Sequence, residues 1–135
     1  MECTVFYESW QMECCGRAFS IGDTVEWLVY QTEPGEILSP VDIGPVDYCY
    51  EQHSSDWKKL LILEGKVEAI KILYERFKQE KDDYPMLVST GGELVDAERA
   101  EGFEKSIGDM KPTGYVVRIS EYSVRPAKRK DVTFQ

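Results

Sequence analysis

The sequence predicts a mainly β domain: a small, strongly bent antiparallel sheet closing toward a barrel of the OB or SH3-like kind, with one or two short helices. Three observations predict it. Residues Thr24–Gln31 alternate cleanly, with Val25, Trp27 and Val29 on one face and Glu26, Leu28 and Tyr30 on the other. Near the other end of the chain, Tyr115, Val117 and Ile119 alternate in the same way with Val116, Arg118 and Ser120. A period of two marks a half-buried strand. Between them, turn formers crowd residues 32–45, where Pro34-Gly35, Ser39-Pro40 and Gly44-Pro45 exclude a helix or a central strand. The competing class is α+β, and it rests on one segment, residues 58–78.

Residues 4–10 read as a first strand, alternating around Phe6, Glu8 and Trp10. A tight turn centred on Cys14, Cys15 and Gly16 follows, then an apolar anchor at Phe19 and a second turn at Gly22-Asp23, with Asp23 as the turn acceptor. Beyond the loop, residues 46–53 resume alternation, with Val46, Tyr48 and Tyr50 opposite Asp47, Cys49, Glu51 and His53, and Ser54-Ser55-Asp56 turns the chain. In residues 58–78, Leu60, Leu63, Val67, Ile70, Tyr74 and Phe77 recur at spacings of three and four, which is a helical stripe. Gly65 interrupts it, and two strands joined or bent at Gly65 account for the same residues. Pattern by itself leans to the helix. Residues 79–83 read as a solvated loop and 86–89 as a short apolar piece ending at Gly91-Gly92. Residues 93–109 are acidic, with a short helix over 97–105 that Gly102 weakens. Residues 111–114 read as a turn, and the last strand continues through 122–124 until Pro126 stops it.

At 135 residues the chain fits one domain, 1–135, whose folding buries roughly two thirds of the extended chain's surface. A hydrophobic fraction of 42% excludes the low-hydropathy regime of disorder. No run approaches the roughly 18 apolar residues of a membrane span, and Met1-Glu2-Cys3-Thr4 lacks the order of a signal peptide, so the cytoplasm is the expected location. The net charge is −9. From Gly114 onward, five bases (Arg118, Arg125, Lys128, Arg129 and Lys130) face two acids, Glu121 and Asp131, a balance of +3 that leaves −12 for the first 113 residues. Residues 125–135 therefore read as a flexible, solvated basic tail. Nucleic acid is a disfavoured partner for so acidic a chain, and that segment is where it would be met.

Cys3, Cys14, Cys15 and Cys49 occur without secretory context, so reduced thiols are expected. Adjacent Cα atoms lie about 3.8 Å apart, below the disulfide range of about 4.4 to 6.8 Å, so Cys14 and Cys15 do not bridge comfortably. A metal- or thiol-dependent reading uses Cys14, Cys15, Cys49 and His53. On a strand, however, Cys49 and His53 are about 13 Å apart, too far for one zinc ion. A Cys15 nucleophile would need His53, the one histidine, as its base, and nothing in the spacing brings them together. Glu26, Asp47 and Glu51 form no pair whose pKa values spacing alone would separate. The aromatics Trp10, Trp27, Tyr48, Tyr50, Trp57, Tyr74 and Tyr115 exceed what a small core requires, and small barrels use exposed aromatics to stack ligands.

The stretch W-Q-M-E-C-C-G-R-A-F-S-I-G-D-T-V-E-W at residues 10–27 resembles the opening of a small, functionally uncharacterised family of bacterial domains. The residues that carry the likeness are Trp10, Gln11, Met12, Cys14, Cys15, Gly16, Phe19, Gly22, Asp23, Val25 and Trp27, with looser matches at Tyr50, His53-Ser54, Gly65-Lys66-Val67 and 114–118. The resemblance implies β-branched residues across 66–74, which favours strands there over the helix. It brings no activity, catalytic residue, metal or cofactor. The expectation is a non-catalytic binding or assembly module for a protein or small molecule, with no membrane contact and self-association open. Trp10, Cys14, Cys15, Trp27, Tyr50 and His53 are its candidate ligand-binding residues.

Overall fold

The computed structural model describes residues 1–52, 56–79 and 87–132, except the side chains of residues 14, 15 and 79. Its elements are β1 (Glu2–Glu8), α1 (Ser9–Cys15), β2 (Phe19–Ser20), β3 (Thr24–Gln31), β4 (Tyr48–Tyr50), β5 (Leu61–Gln79), β6 (Leu87–Ala97), β7 (Arg99–Ala100) and β8 (Lys111–Pro126), with 3-10 turns at Trp57–Lys59 and Arg129–Asp131. Neighbouring strands run β3-β4-β1-β8-β5-β6, and a further pairing of β3 with β5 closes the first five into a ring. The fold is mainly β and barrel-like.

Within the ring the β1–β4 pair is parallel and the other four are antiparallel. Followed from β5 through β8, β1 and β3 to β4, the strands lie in the order first, second, third, fifth, fourth. The third and fifth are parallel, and α1 lies between the third and fourth. That is the connectivity of an OB barrel whose chain ends have moved between its second and third strands. The start of β1 lies against the middle of β8, where the Glu121 N–H donates to the Met1 carbonyl at 3.2 Å.

β5 spans 19 residues, roughly 60 Å of strand, and is too long to stay straight. Its first part, Leu61–Lys66, lies between β3 and β8, its second, Ile70–Glu75, lies between β6 and β8, and its last residues pair with β6 alone. Three register shifts against β8 bend it. The first places an extra β8 residue opposite Gly65, where Glu121 takes φ 49. The second leaves Glu68 as the extra residue on β5, and the third leaves Thr113 as the extra residue on β8. Inward-facing side chains from every stave build one core: Cys3, Val5 and Tyr7; Trp27 and Val29; Tyr50; Leu63, Val67, Ile70, Ile72 and Tyr74; Tyr115, Val117 and Ile119. A smaller outer cluster joins Leu60, Ile62, Ala127 and Val132, with Leu28, Tyr30 and Trp57 packed against it.

The helix weighed over 58–78 is therefore absent, and Leu61–Gln79 is strand after the 3-10 turn at Trp57–Lys59. β3 and the strand through 115–124 form as expected, with Pro126 as the last residue of β8. Four expectations are corrected. Residues 9–15 are a short helix, so Trp10 is not a strand end, and the Cys14-Cys15-Gly16 turn is the last turn of α1. The strand expected over 46–53 is confined to Tyr48–Tyr50 among the described residues. No helix forms over 97–105, where the chain instead makes the end of β6 and β7, and residues 111–114 begin β8 rather than a turn. Residues 53–55 and 80–86, with the Ser54-Ser55 turn and most of the 79–83 loop, lie outside the described residues. Among the described residues no helix is long and apolar enough to cross a membrane.

A Cβ on Gly65 would press into Ile119 Cγ2 and come within 2.9 Å of Tyr122 Cβ and 3.0 Å of the Ser120 carbonyl. Gly65→Ala is expected to cost about 1–3 kcal/mol by overpacking the bend. Urea unfolding measures it, and an unchanged midpoint would show that the bend does not depend on this contact.

Candidate functional site

β4 is five residues shorter than its neighbour β3, and a cleft of about 520 Å³ opens along the unmatched start of β3. Its floor is aromatic. Tyr7 and Tyr50 stack with ring centres 3.8 Å apart, and Trp27 meets both edge-on at 5.4 and 5.9 Å. Phe19 closes the group 5.0 Å from Trp27. Such edge-to-face and stacked pairs each add about 0.5–1.5 kcal/mol to simple burial. Arg17, Asp23, Thr24, Glu26 and Gln52 supply polar groups around the lining.

Three local devices place this floor. The Gln11 side-chain amide donates to the Tyr50 carbonyl at 3.1 Å, and its oxygen accepts the Gln52 N–H at 3.1 Å. A buried side chain thus stands in for a strand neighbour just where β4 ends, satisfying backbone groups that would be costly to leave unpaired. Gly16 lets the chain pass directly over Tyr7, since any Cβ there would overlap the tyrosine hydroxyl. Asp23 accepts the Ser20 N–H at 2.8 Å through its carboxylate, and its backbone and that of Gly22 exchange bonds with Val67 at 2.8–2.9 Å, which ties the 16–23 segment to β5.

Of the residues singled out by sequence, Trp27 and Tyr50 line the cleft together. Trp10 does not; it is half exposed on α1, and its indole N–H donates to Glu8 Oε2 at 2.9 Å. Cys14 and Cys15 end α1 next to the cleft-lining Gly16, with side chains outside the described residues, as is His53 entirely. Cys49 is buried and meets the Thr32 hydroxyl at 3.3 Å. Burial pushes the Cys49 thiol up, an effect that the Thr32 and Tyr30 hydroxyls oppose. Burial pushes the Cys3 thiol up to about 12, and the nearby Asp47 charge adds to this. Both are protonated thiols at neutral pH. Among the described residues no three His, Cys, Asp or Glu side chains gather as metal ligands.

Sequence reasoning missed Glu75. The residue is 93% buried beside a second cleft of about 220 Å³, lined also by Phe6, Tyr30, Glu36 and Leu73. It accepts hydrogen bonds from Thr113 at 2.7 Å, Ser39 at 3.2 Å and Ser89, three hydroxyls from three separate segments. Glu75 thereby pins the 32–47 loop, β6 and the β8 bulge to one another. Nothing in a helical or alternating pattern flags a charged residue on the outer sheet face as buried. Tyr115 does similar service at another point, accepting from the Gly102 N–H at 2.9 Å and donating to Glu104. Burial, followed by the Glu104 contact, raises its pKa far above the usual tyrosine range.

A sequence model described as a family of unknown function (DUF6578) matches residues 1–121. No curated protein matches the chain, and no solved structure does.

Gln11→Ala strips partners from the Tyr50 carbonyl and the Gln52 N–H, and a loss of about 1–3 kcal/mol is expected in chemical denaturation. A second expectation concerns alkali. The Cys3 thiol, ordinarily at 9.0, titrates near 12 when folded, and the Tyr30 and Tyr115 hydroxyls are raised too. A folded-state pKa above the unfolded value gives stability that is intact below pH 9 and lost as pH climbs toward 12. Urea midpoints between pH 8 and 11 should fall, and fall less in Cys3→Val.

Proposed function

Because the chain belongs to that family of unknown function, its own geometry has to carry the reading, and we propose a non-catalytic binding module whose ligand seats in the aromatic cleft at the open end of β3. One observation carries it: four aromatic rings from β1, β2, β3 and β4 converge on a cleft whose volume, about 520 Å³, lies in the range of small-molecule sites. The rings are themselves almost fully buried, so they form an apolar floor that favours a ligand with a flat, apolar body, and Arg17, Asp23, Glu26 and Gln52 offer both signs of charge and an amide to a polar edge. The class that fits is a small heteroaromatic molecule with polar substituents. Cys3 and Cys49 are free thiols among the described residues, in keeping with a reducing, cytoplasmic setting for it.

Screening a panel of soluble heteroaromatic compounds by protein-observed NMR tests this. Binders should shift resonances of residues 17–19, 24–27 and 50–52, and raise the melting temperature. Arg17→Gln, which changes an exposed side chain, should weaken the best binder about tenfold while leaving the unliganded melting temperature in place. Shifts that map elsewhere, or a panel with no binder below about 1 mM, would remove the reading.

A further inference from the structure

The fold joins two basic segments that lie far apart in sequence. The Ala127 N–H donates to the Leu60 carbonyl at 3.0 Å, and Pro126 pairs with Leu61. This sets the 3-10 turn Trp57–Lys59 beside the one at Arg129–Asp131. Trp57, half buried, packs on the outer cluster of Leu60, Ile62, Ala127 and Val132 that holds the two turns together. Lys58, Lys59, Lys128, Arg129 and Lys130 are all exposed around it. Across 56–59 and 125–131 there are six bases against two acids, a balance of +4 on a chain of net −9; Glu33 and Glu51 share a cleft with Lys59, and Glu26 and Glu64 act on Arg125, so the excess positive charge belongs to Lys58, Lys128, Arg129 and Lys130.

The two acids are already engaged. Asp131 takes both arms of the Arg125 guanidinium, at 3.1 and 3.4 Å, and also accepts the Lys128 backbone N–H at 2.8 Å. The Arg125 contact, with the backbone bond second, holds the Asp131 carboxyl below its usual range, so it stays ionised and keeps the 3-10 turn in place. Asp56 reaches Lys59 at 3.7 Å, with both side chains more than half exposed, a pairing too weak to neutralise that lysine. Lys58, Lys128, Arg129 and Lys130 have no side-chain ion pair among those of the described residues.

We infer that this corner is a docking site for single-stranded nucleic acid, held through its phosphates by the two lysine-rich turns with a base laid on Trp57. Charge complementarity selects a polyanion, and an indole set among cations is the combination that single-strand binders use, since every base has a face to stack. The site is independent of the aromatic cleft, which shares none of these residues. The acidic remainder of the chain limits contact to this corner and makes binding weak at physiological salt.

The test is fluorescence anisotropy with labelled dT20 and U20 oligonucleotides. With about four phosphates neutralised, affinity should drop about 20-fold between 50 and 150 mM salt. The pair Lys58→Gln/Lys59→Gln and the pair Lys128→Gln/Lys130→Gln should each weaken binding at least fivefold without moving the melting temperature. Trp57→Leu should lose several-fold more than Trp57→Phe, which keeps a ring. No binding at 50 mM salt, insensitivity to salt, or full affinity in the Lys58/Lys59 variant would overturn the inference. So would a polyglutamate peptide of matched charge binding more tightly than either oligonucleotide, which would assign the corner to an acidic protein.

Discussion

The structure depends on one strand that has to bend. β5 pairs with β3 along its start, with β6 along its end, and with β8 from Leu61 to Glu75, so the ring closes only if its backbone turns sharply between those roles. Gly65 permits it by letting Ile119, Tyr122 and the Ser120 carbonyl crowd where a side chain would stand, and the β8 bulge at Glu121 supplies the extra length on the outside of the curve. A positive φ at a glutamate is unfavourable by itself, and its retention shows how strongly the surrounding pairings determine it. Once β5 bends, the inner faces of β1, β3 and β8 meet around the same core.

That geometry also explains why a β-strand imitates a helix. Before the Glu68 bulge the inward residues of β5 are odd-numbered, Leu63, Gly65 and Val67; after it they are even, Ile70, Ile72 and Tyr74. The change of parity puts a step of three between Val67 and Ile70, and a four-residue step follows from skipping one inward position. A period-two pattern broken by a bulge thus produces the central steps of that stripe, Leu63, Val67, Ile70 and Tyr74, whereas Leu60 belongs to the outer cluster and Phe77 is exposed. β3 and the middle of β8 carry no such break in their alternation and are legible directly. The likeness to strand-rich sequences corrected the reading of this segment.

The candidate sites were legible to different degrees. Trp27 and Tyr50 could be named from residue type, because aromatics on neighbouring strands converge wherever a barrel narrows. The helix around Trp10 could not, since a seven-residue helix has too few turns to show a period, and what holds it is Gln11 bridging Tyr50 and Gln52, a contact across about forty residues. The same limit hides Glu75, whose hydroxyl partners come from positions 39, 89 and 113. It hides the basic corner as well, where the expected run at 125–130 is completed by Lys58 and Lys59 only through the pairing of β5 with β8. Local pattern registers neighbours along the chain, whereas each of these groupings is made by neighbours across the sheet.

The position of β1 in the ring has a consequence for how the barrel assembles. β1 is an interior stave, flanked by β4 and, over its whole length, by residues 114–120. Its principal partner lies more than a hundred residues further along the chain, and loop closure over that distance must precede their pairing. Until it does, Val5 and Tyr7 have no inner wall to pack against, and β1 is a sticky, half-paired strand. Closure of this barrel is a late event in folding.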